Sequence, residues 1–423
     1  MLDIHRIAHD PKKVIKKLQD RLIPNAESIV NHIIAVNQKR KQVQKESDRL
    51  SQELNLANKE MAALFANNPV EAKKKQEKLL SKKNEQKQLA AILAEQEKKL
   101  KEQLLQMPNL PYDDVVLGGK DNNQVIKEWH PASQSKSNLL PHWDLIKIYD
   151  LVDFELGNKI TGAGFPVYKG KGAQLQRALI NFFLDQATCA GYQEVQPPLL
   201  VNQQAAIGTG QLPDKEGIMY SIQENSLYLI PTAEVPVTNL YREKIIAAEE
   251  LPIKHVSYTP CFRREAGSWG SHVRGLNRLH QFDKIELVEI HKPDRSRQAL
   301  SRMIEYATGL LEKLQLPYRL LQIATGDLGF TSAITYDIEV LSPGQNKWLE
   351  VSSISCFDTY QARRMHLRYR EKGKIYHCHT LNGSALALPR VVAALLEHGQ
   401  TYSTIIIPSV LAHYTGWDAI QKE

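Results

Sequence analysis

Two neighbouring segments carry side chains whose types and spacing suit a nucleotide and an amine. The first contains Arg263 and Glu265. The second follows a glycine-containing stretch and contains Phe282, Lys284 and Glu286. The pattern predicts a strand, a long loop and a second strand. Because side chains alternate faces along a strand, the first pair shares one face and the other three residues share another.

A guanidinium, an aromatic ring and carboxylates on one sheet favour binding of a nucleotide together with an amine. Arg263 can hold a phosphate through its fork, and Glu286 can pair with an ammonium group. The ring of Phe282 can stack on a base. The alternative is a surface hairpin whose charges share no ligand. The chain has neither GxxxxGK followed by Ser or Thr nor a strand–helix GxGxxG, so nucleotide binding must depend on arginines and carboxylates.

The composition argues against several classes of protein. No apolar stretch approaches the ~20 residues that span a bilayer, and the segment MLDIHRIAHDPKKV has no apolar signal core. The four cysteines lie far apart without a CxxC pair, which argues against a zinc site and is typical of the reducing cytoplasm. They are Cys189, Cys261, Cys356 and Cys378. We therefore expect a cytoplasmic protein without zinc.

The positive charge is concentrated in the first quarter of the chain. Residues 1–110 hold 22 Lys and Arg against 14 Asp and Glu, a net charge of +8, whereas the remainder has a net charge of −1. A basic segment attached to a near-neutral body suggests an arm that binds a polyanion. The alternative is a solvated helix surface.

The same segment contains a heptad pattern. Residues 1–20 predict a short helix that Asp10-Pro11 interrupts. From Ile29 a 4-3 spacing is typical of a coiled-coil seam. Nine of its eleven positions are apolar, and Arg40 and Ser47 are the exceptions. The seam positions are Ile29, Ile33, Val36, Arg40, Val43, Ser47, Leu50, Leu54, Ala57, Met61 and Leu64.

A second and more polar heptad run follows Asn67-Asn68-Pro69, which predicts a turn. Two long helices joined by a tight turn fold back antiparallel. At ~1.5 Å per residue, the first helix would extend roughly 54 Å. Lysines just past the turn favour a nucleic-acid contact over a dimerisation rod. The second seam comprises Ala72, Lys75, Leu79, Lys82, Gln86, Leu89, Leu93, Gln96, Leu100, Gln103 and Met107, and the lysines are Lys73, Lys74, Lys75, Lys78, Lys82, Lys83 and Lys87.

After a connector at residues 111–130 the pattern changes to mixed strands and helices. Strands in sequential hairpins, with helices segregated between them, predict an α+β domain on an antiparallel sheet. Helices are predicted at 175–190, 295–314 and 386–398, and strands at 191–201, 227–231, 256–265, 277–290, 318–325, 335–341 and 347–354. The sequence therefore predicts two domains, a coiled-coil arm at 1–110 and an α+β domain at 111–423.

Residues 261–268, the glycine at 275 and residues 279–286 together closely resemble motif 2 of class II aminoacyl-tRNA synthetases, in its seryl form. Residues 191–200 resemble motif 1, whose proline, here Pro198, lies at the homodimer interface in the family. Residues resembling motif 3 and other seryl-family segments lie at 381–390, 208–213, 231–236, 325–329 and 361–364. The resemblance covers essentially the whole chain. It implies a class II catalytic sheet with flanking helices and a tRNA-binding arm.

The resemblance implies a role for each matching residue. Serine would be bound by Thr232, Ala233, Glu234, Glu286, Asn382 and Ser384. ATP would be bound by Arg263, Arg264, Glu265, Leu279, Phe282, Glu350, Val351, Ser352, Ser353 and Arg390, and Mg²⁺ by Glu350 and Ser353. The catalytic residues would be Arg263, which bridges the serine carboxylate and the α-phosphate, Glu286, which meets the substrate ammonium and hydroxyl, and Arg390, which holds the γ-phosphate.

The implied reaction is the ATP-dependent activation of L-serine to seryl-adenylate, followed by transfer to the 3′ end of tRNA(Ser) and of tRNA(Sec). A carboxylate nucleophile is ionised at neutral pH, so positioning and charge neutralisation carry the first step. The segment 352–360 departs from the commoner seryl pattern at Ile354, Cys356, Phe357, Thr359 and Tyr360. We expect these departures to alter packing without abolishing activity.

Two other functions stay open. One is a related ligase that charges a carrier other than tRNA, but such relatives lack a long arm. The other is a non-catalytic coiled-coil protein that binds RNA. Loss of chemistry predicts erosion of the active-site residues, and Arg263, Glu286, Glu350 and Arg390 are all present. The sequence therefore favours the enzyme.

Overall fold

The computed structural model describes residues 1–67, 69–132, 139–214, 217–265 and 274–422, with the side chains of residues 62–74 left undescribed. Asn68 of the predicted turn and residues 266–273 of the motif 2 loop lie outside the described residues. The chain forms two compact units. One comprises Leu2–Gln19 and Ile23–Pro108, and the other comprises Met1, Asp20–Leu22 and Asn109–Glu423. None of the described helices is both long and apolar enough to cross a membrane.

The first unit is helical. Its helices are α1 (Ile4–His9), α2 (Pro11–Asp20), α3 (Ala26–Asn67) and α4 (Pro69–Gln106). The predicted interruption at Asp10-Pro11 is confirmed. It arises because proline lacks the N–H that a helix interior needs but fits the first helical position.

The predicted antiparallel hairpin is confirmed by the packing of α3 on α4. Lys82 Nζ donates to Glu53 Oε2 at 2.6 Å, and Gln86 Nε2 donates to Ser51 Oγ at 2.8 Å. None of the predicted α3 seam residues from 29 to 61 is exposed. The second seam is also at least half-buried from residue 79 onwards, but Lys75 is exposed. With 42 residues, α3 is about 63 Å long, longer than predicted because it extends three residues further at each end.

The second unit contains the described strands and the remaining helices. The strands are β1 (Gln124–Trp129), β2 (Val152–Asp153), β3 (Val167–Tyr168), β4 (Gln193–Glu194), β5 (Leu200–Asn202), β6 (Ser221–Ile222), β7 (Leu227–Leu229), β8 (Ile245–Ala247), β9 (Ile253–Phe262), β10 (Gln281–His291), β11 (Tyr318–Gln322), β12 (Ile334–Ser342), β13 (Lys347–Cys356), β14 (Arg368–Glu371), β15 (Lys374–His377), β16 (His379–Ala387), β17 (Thr404–Ile406) and β18 (Ala419–Gln421). The helices are α5 (His142–Ile148), α6 (Phe154–Ile160), α7 (Gly170–Cys189), α8 (Gln203–Thr209), α9 (Glu234–Asn239), α10 (Ser296–Lys313), α11 (Tyr360–Met365), α12 (Leu388–Gly399) and α13 (Ser409–Thr415).

The main sheet has the strand order β1-β11-β12-β13-β16-β10-β9-β4. Its neighbouring strands are antiparallel, except that β4 runs parallel to β9. The apolar faces of α7, α10 and α12 pack in one core with the sheet, where Leu175, Leu311 and Val391 are fully buried. The predicted α+β architecture on an antiparallel sheet is confirmed.

Several predicted boundaries are wrong. The strand predicted at 256–265 ends at Phe262, because Glu265 takes a φ of +47° and the extended conformation stops before it. The strand predicted at 191–201 is two short strands, β4 and β5. The predicted connector contains β1, and β16 was not predicted as a strand. The helix expected at 386–398 begins at Leu388, with Pro389 in its first turn, where proline is tolerated.

Candidate active site

A cavity of about 310 Å³ lies where β9, β10, β13 and β16 run side by side. The structure brings most of the sequence-predicted site residues together in its wall. These are Thr232, Glu234, Arg263, Glu265, Leu279, Phe282, Glu286, Glu350, Val351, Ser352, Ser353, Asn382, Ser384 and Arg390. They come from segments that are far apart in the sequence, and the strand order of the sheet places them side by side.

Two predicted residues do not line the cavity. Ala233 is fully buried and packs with Val237 and Val288. Arg264 is exposed, and its backbone N–H donates to the carbonyl oxygen of Ile218 at 2.8 Å. In each case the residue before it in the sequence lines the cavity instead, namely Thr232 and Arg263.

One end of the cavity holds a buried cluster of charged and polar groups. Thr232 Oγ1 donates to Glu286 Oε2 at 3.2 Å and accepts from Lys284 Nζ at 2.8 Å. Lys284 also forms an ion pair with Glu286. Glu234 lies beside them, and all four residues are at most 7% exposed. When Glu234 is ionised, two carboxylates and one ammonium leave a net negative charge, which suits a ligand cation.

The environment of Glu234 disfavours its charged form. Burial, and then the nearby charge of Glu286, raise the pKa of Glu234 to about 7. Hydrogen bonds from Gln361 and Asn382 and the charge of Lys284 act in the opposite direction. A substrate ammonium placed beside Glu234 would favour its ionised form in the same way.

Arginines and an aromatic ring also line the cavity. The guanidinium carbon of Arg263 lies 5.2 Å from the ring centroid of Phe282, and Arg263 Nε donates to the carbonyl oxygen of Pro231 at 3.3 Å. Glu265 forms an ion pair with Arg278. A planar base and phosphates are the ligands that such groups bind by stacking and by charge-assisted hydrogen bonds.

Backbone carbonyls fix the side chain of Arg390. Its Nε donates to the oxygen of Asn277 at 2.9 Å, and its Nη1 donates to the oxygen of Glu350 at 2.6 Å. Arg390 follows β16 in the first turn of α12, and Glu350 lies on β13. The guanidinium is therefore held by two segments, and its other N–H groups, which bond to no described residue, can meet an anion.

Glu350 and Ser353 fit a magnesium ion as partial ligands. Both line the cavity, and both offer the oxygen ligands that Mg²⁺ prefers. Asp337 is opposite Ser353 on β12, and its buried Oδ1 lacks a hydrogen-bond partner within the described residues. In the part of the chain that the structure describes, no three His, Cys, Asp or Glu side chains form a metal cluster. Water and phosphate would have to complete the shell.

Sequence reasoning assigned no role to several residues that shape the site. Lys284 was placed on the correct strand face, but its bond to Thr232 could not be foreseen. Gln361 and Asn277 reach Glu234 and Arg390 from distant segments. Gln361 lies in a segment that matches the family, which was the one sequence signal for it. Asn277 had no such signal.

The departures in segment 352–360 fall mostly in the core. Ile354, Cys356, Phe357 and Tyr360 are buried. Ile354 packs against Gly383, where an added Cβ would lie 2.9 Å from Ile354 Cγ1. The glycine is therefore required by the larger neighbouring side chain.

Comparisons with known proteins identify the family. Residues 1–111 match the family model described as the seryl-tRNA synthetase N-terminal domain, and residues 219–399 match the tRNA synthetase class II core domain (G, H, P, S and T). The chain is 45% identical over 434 aligned residues to a serine–tRNA ligase of Salinibacter ruber, covering 100% of both chains. It is 44% identical over 436 aligned residues to that of Akkermansia muciniphila, again covering 100% of both.

A solved structure agrees with these relatives. The crystal structure of seryl-tRNA synthetase from Pyrococcus horikoshii complexed with ATP superposes with a TM-score of 0.93 at 32% identity, and covers 100% of each chain. The predicted class II synthetase fold is confirmed, and the enzyme is favoured over the carrier ligase and the non-catalytic RNA-binding protein. The chain belongs to the seryl-tRNA synthetase family of class II aminoacyl-tRNA synthetases.

Proposed function

We propose that this chain activates L-serine with ATP to form seryl-adenylate and then transfers the seryl group to the 3′ end of tRNA. The observation that carries the proposal is the joining, in one cavity, of a buried carboxylate pair with two positioned arginines and an aromatic ring. The curated relatives are serine–tRNA ligases, and the Pyrococcus horikoshii structure contains ATP.

In the first step the ammonium of serine lies between Glu234 and Glu286, and its carboxylate lies at Arg263. A carboxylate oxygen of serine attacks the α-phosphorus of ATP, a new O–P bond forms, and the bond to the bridging oxygen breaks as pyrophosphate leaves. Arg390 holds the γ-phosphate. No base is needed, because the nucleophile is already ionised, so orientation and charge neutralisation lower the barrier.

Mg²⁺ would supply further neutralisation of phosphate charge when bound. Glu350 and Ser353 would hold it, and both are on β13 in the cavity wall. Phe282 and Leu279 lie beside the adenine, and Glu265 contacts its edge. In the second step the 3′ hydroxyl of the terminal adenosine of tRNA attacks the carbonyl carbon of seryl-adenylate and AMP leaves.

Polar pairing selects serine in this proposal. Thr232, Asn382 and Ser384 lie within a buried and closely bonded wall. If alanine were bound, the protein groups that pair with the serine hydroxyl would lose their hydrogen-bond partner, which is costly in a buried site. Threonine adds a methyl group that the small pocket must refuse by its shape.

The remaining assignments concern partners and location. We propose that residues 1–110 are the tRNA-binding arm and residues 111–423 the catalytic domain, with tRNA(Ser) and tRNA(Sec) as acceptors. The net charge of +8 on the arm supports this assignment. The chain would act in the cytoplasm, where its four free cysteines stay reduced, as a homodimer through the Pro198 region.

ATP–pyrophosphate exchange tests the proposal. Serine should support exchange, whereas threonine and alanine should give rates at least ~100-fold lower, because one buried polar or steric mismatch has about that effect. The Glu286→Gln variant serves as a control and should lose most of the serine-dependent rate. Equal exchange with threonine would contradict the assignment of serine.

A further inference from the structure

Gln361 lies behind the wall of the cavity and contacts Glu234. It is on α11 and is only 1% exposed. Its Nε2 donates to Glu234 Oε1 at 2.5 Å and to the carbonyl oxygen of Thr209 at 3.2 Å. Its Oε1 accepts from Thr380 Oγ1 at 2.7 Å. The mechanism above assigns no task to this side chain.

The chemistry of its partners fixes the orientation of the amide. The carbonyl of Thr209 can only accept, so the nitrogen of Gln361 must face it and, with its second N–H, face Glu234. The oxygen then faces Thr380, whose hydroxyl must donate. Rotating the amide by 180° would place its oxygen against two other acceptor oxygens, those of Thr209 and Glu234. Thr380 and Thr209 therefore hold Gln361, and Gln361 holds Glu234.

Charged groups reach Glu234 chiefly from β10. These are the carboxylate of Glu286, which disfavours its ionised form, and the ammonium of Lys284, which favours it. Asn382 on β16 and Gln361 on α11 add neutral hydrogen bonds. The charges on these two elements have other partners. Arg363 Nε donates to Thr359 Oγ1, Arg364 donates to the carbonyl oxygens of Ile207 and Leu212, and His379 Nε2 pairs with Asp358 Oδ1.

A neutral donor at this place has a particular consequence. A lysine or arginine bonded to Glu234 would cancel the charge that a substrate ammonium needs, and a carboxylate would oppose ionisation. The amide of Gln361 stabilises the anion by hydrogen bonding without neutralising it. A neutral amide also adds no charge to the Glu234, Glu286 and Lys284 cluster, which is negative when Glu234 is ionised.

We propose that Gln361 is a positioning residue that holds Glu234 in the orientation and charge state that receive the ammonium of serine. Thr380 acts one step further away by directing the amide. This proposal rests on the proposed function, since it assigns serine to the Glu234 end of the cavity. A positioning role for Gln361 differs from a role in folding alone, because substitution of Gln361 must then change KM for serine and not KM for ATP.

The test measures ATP–pyrophosphate exchange between pH 6 and pH 9 for Gln361→Met, Gln361→Glu, Thr380→Val and Thr380→Ser in the full chain. Loss of the charge-assisted bond should raise KM for serine about 10- to 100-fold in Gln361→Met. KM for ATP should stay within about twofold. In Gln361→Glu the half-maximal pH of kcat/KM for serine should move upward by about one unit or more, because two adjacent carboxyl groups share a proton.

The threonine pair provides a matched control. Thr380→Ser keeps the hydroxyl and should behave like the unaltered chain, whereas Thr380→Val removes it and should raise KM for serine about 3- to 10-fold. If Gln361→Met does not fold, this pair decides the question in its place. Equal rises in KM for serine and for ATP would mean a structural role and would overturn the proposal.

The outcomes separate this proposal from the proposed function. If the unaltered chain exchanges with serine but Gln361→Met keeps its KM and pH profile, only the role of Gln361 is wrong. If the unaltered chain shows no serine-dependent exchange, the proposed function fails and the role of Gln361 fails with it.

Discussion

At the scale of single residues, Glu234 joins two properties that oppose each other, because it is proposed to bind a cation as a carboxylate and is 7% exposed. Its pKa is raised by burial to about 7, above the ordinary 4.5. Because this pKa is raised on folding, its contribution to the free energy of unfolding is fully present below pH 4.5. The contribution is lost as the pH rises through about 7. Bound serine would offset the loss, since its ammonium stabilises the carboxylate.

This shift predicts the pH dependence of serine activation. Below pH 7 the free protein holds Glu234 mostly protonated, so kcat/KM for serine should rise about tenfold per pH unit and level off above about 7. The measurement is initial-rate exchange at low serine concentration. KM for ATP should change little over the same range, which is the internal control. A flat profile from pH 5.5 to pH 8 would be inconsistent with this role for Glu234.

The sequence predicted about half of the residues that line the cavity, but few of the bonds between them. Motif resemblance found Glu234, Glu286 and Arg390 because their types and neighbours match a family pattern. It could not show that Gln361 bonds to Glu234, since the two residues are 127 positions apart and no periodicity connects them. Such contacts depend on how strands and helices are ordered in space, which single-residue patterns do not contain.

At the scale of elements, a buried network holds the short turn from Gly275 to Asn277. His142 Nε2 accepts from the backbone N–H of Leu276 at 2.9 Å, so its ring carries the proton on Nδ1 and donates it to Glu397 Oε1 at 3.0 Å. Burial alone would raise the pKa of Glu397, but hydrogen bonds from His142 and Ser342 outweigh it and lower the pKa. Within this turn, the carbonyl oxygen of Asn277 accepts a hydrogen bond from Arg390 Nε.

The Glu397→Gln variant tests whether this network positions the ATP end of the cavity. The amide nitrogen would face donors from His142 or Ser342, so the free energy of unfolding should fall by about 2–3 kcal/mol. KM for ATP should rise about tenfold, while KM for serine stays within about threefold, because Arg390 lies at the ATP end in the proposed function. Denaturant unfolding and exchange kinetics measure the two effects.

A matched substitution makes the comparison specific. Glu305 is exposed on α10, so Glu305→Gln should leave both stability and KM unchanged. If Glu397→Gln is destabilised but KM for ATP and serine rise equally, the network supports the fold and has no selective effect on Arg390.

Long periodic elements were predicted better than short or atypical strands. The helices α7, α10 and α12 have apolar residues at helical spacing, and each was expected near its observed position. The strand β16 is buried along most of its length and contains small residues such as Gly383 and Ala385. It therefore lacks alternation, and Thr380 is its only β-branched side chain. The strand β1 is exposed at nearly all positions, which leaves no apolar face to recognise.

At the scale of the whole molecule, the sequence separated a basic helical segment from a near-neutral body, but it had no signal for the residues that interrupt this division. Asp20–Leu22 belong to the same compact unit as residues 109–423. Arg21 is buried there and donates to the carbonyl oxygens of Asn109, Leu328 and Ser332. Its partners are up to 311 residues away, so only the folded chain reveals them.

Substitutions that remove positive charge from the arm, without deleting it, test its proposed tRNA-binding role. Four lysines on α4 are exposed, namely Lys75, Lys78, Lys83 and Lys87. Changing all four to Gln should raise KM for tRNA in the charging reaction at least ~10-fold and make the salt dependence less steep, because fewer counterions are released. Exchange with serine, which needs no tRNA, should stay unchanged. The measurements are aminoacylation at several salt concentrations and ATP–pyrophosphate exchange.

The control variant changes the same four lysines to Arg, which keeps the positive charge and should retain charging. Both variants should sediment at twice the chain mass of 48.0 kDa, because Pro198 of the proposed dimer interface lies outside the arm. A monomer would contradict the dimer. If the Gln variant charged tRNA as well as the Arg variant did at every salt concentration, the net charge of +8 would belong to a solvated helix surface, and the tRNA would have to be bound elsewhere on the chain.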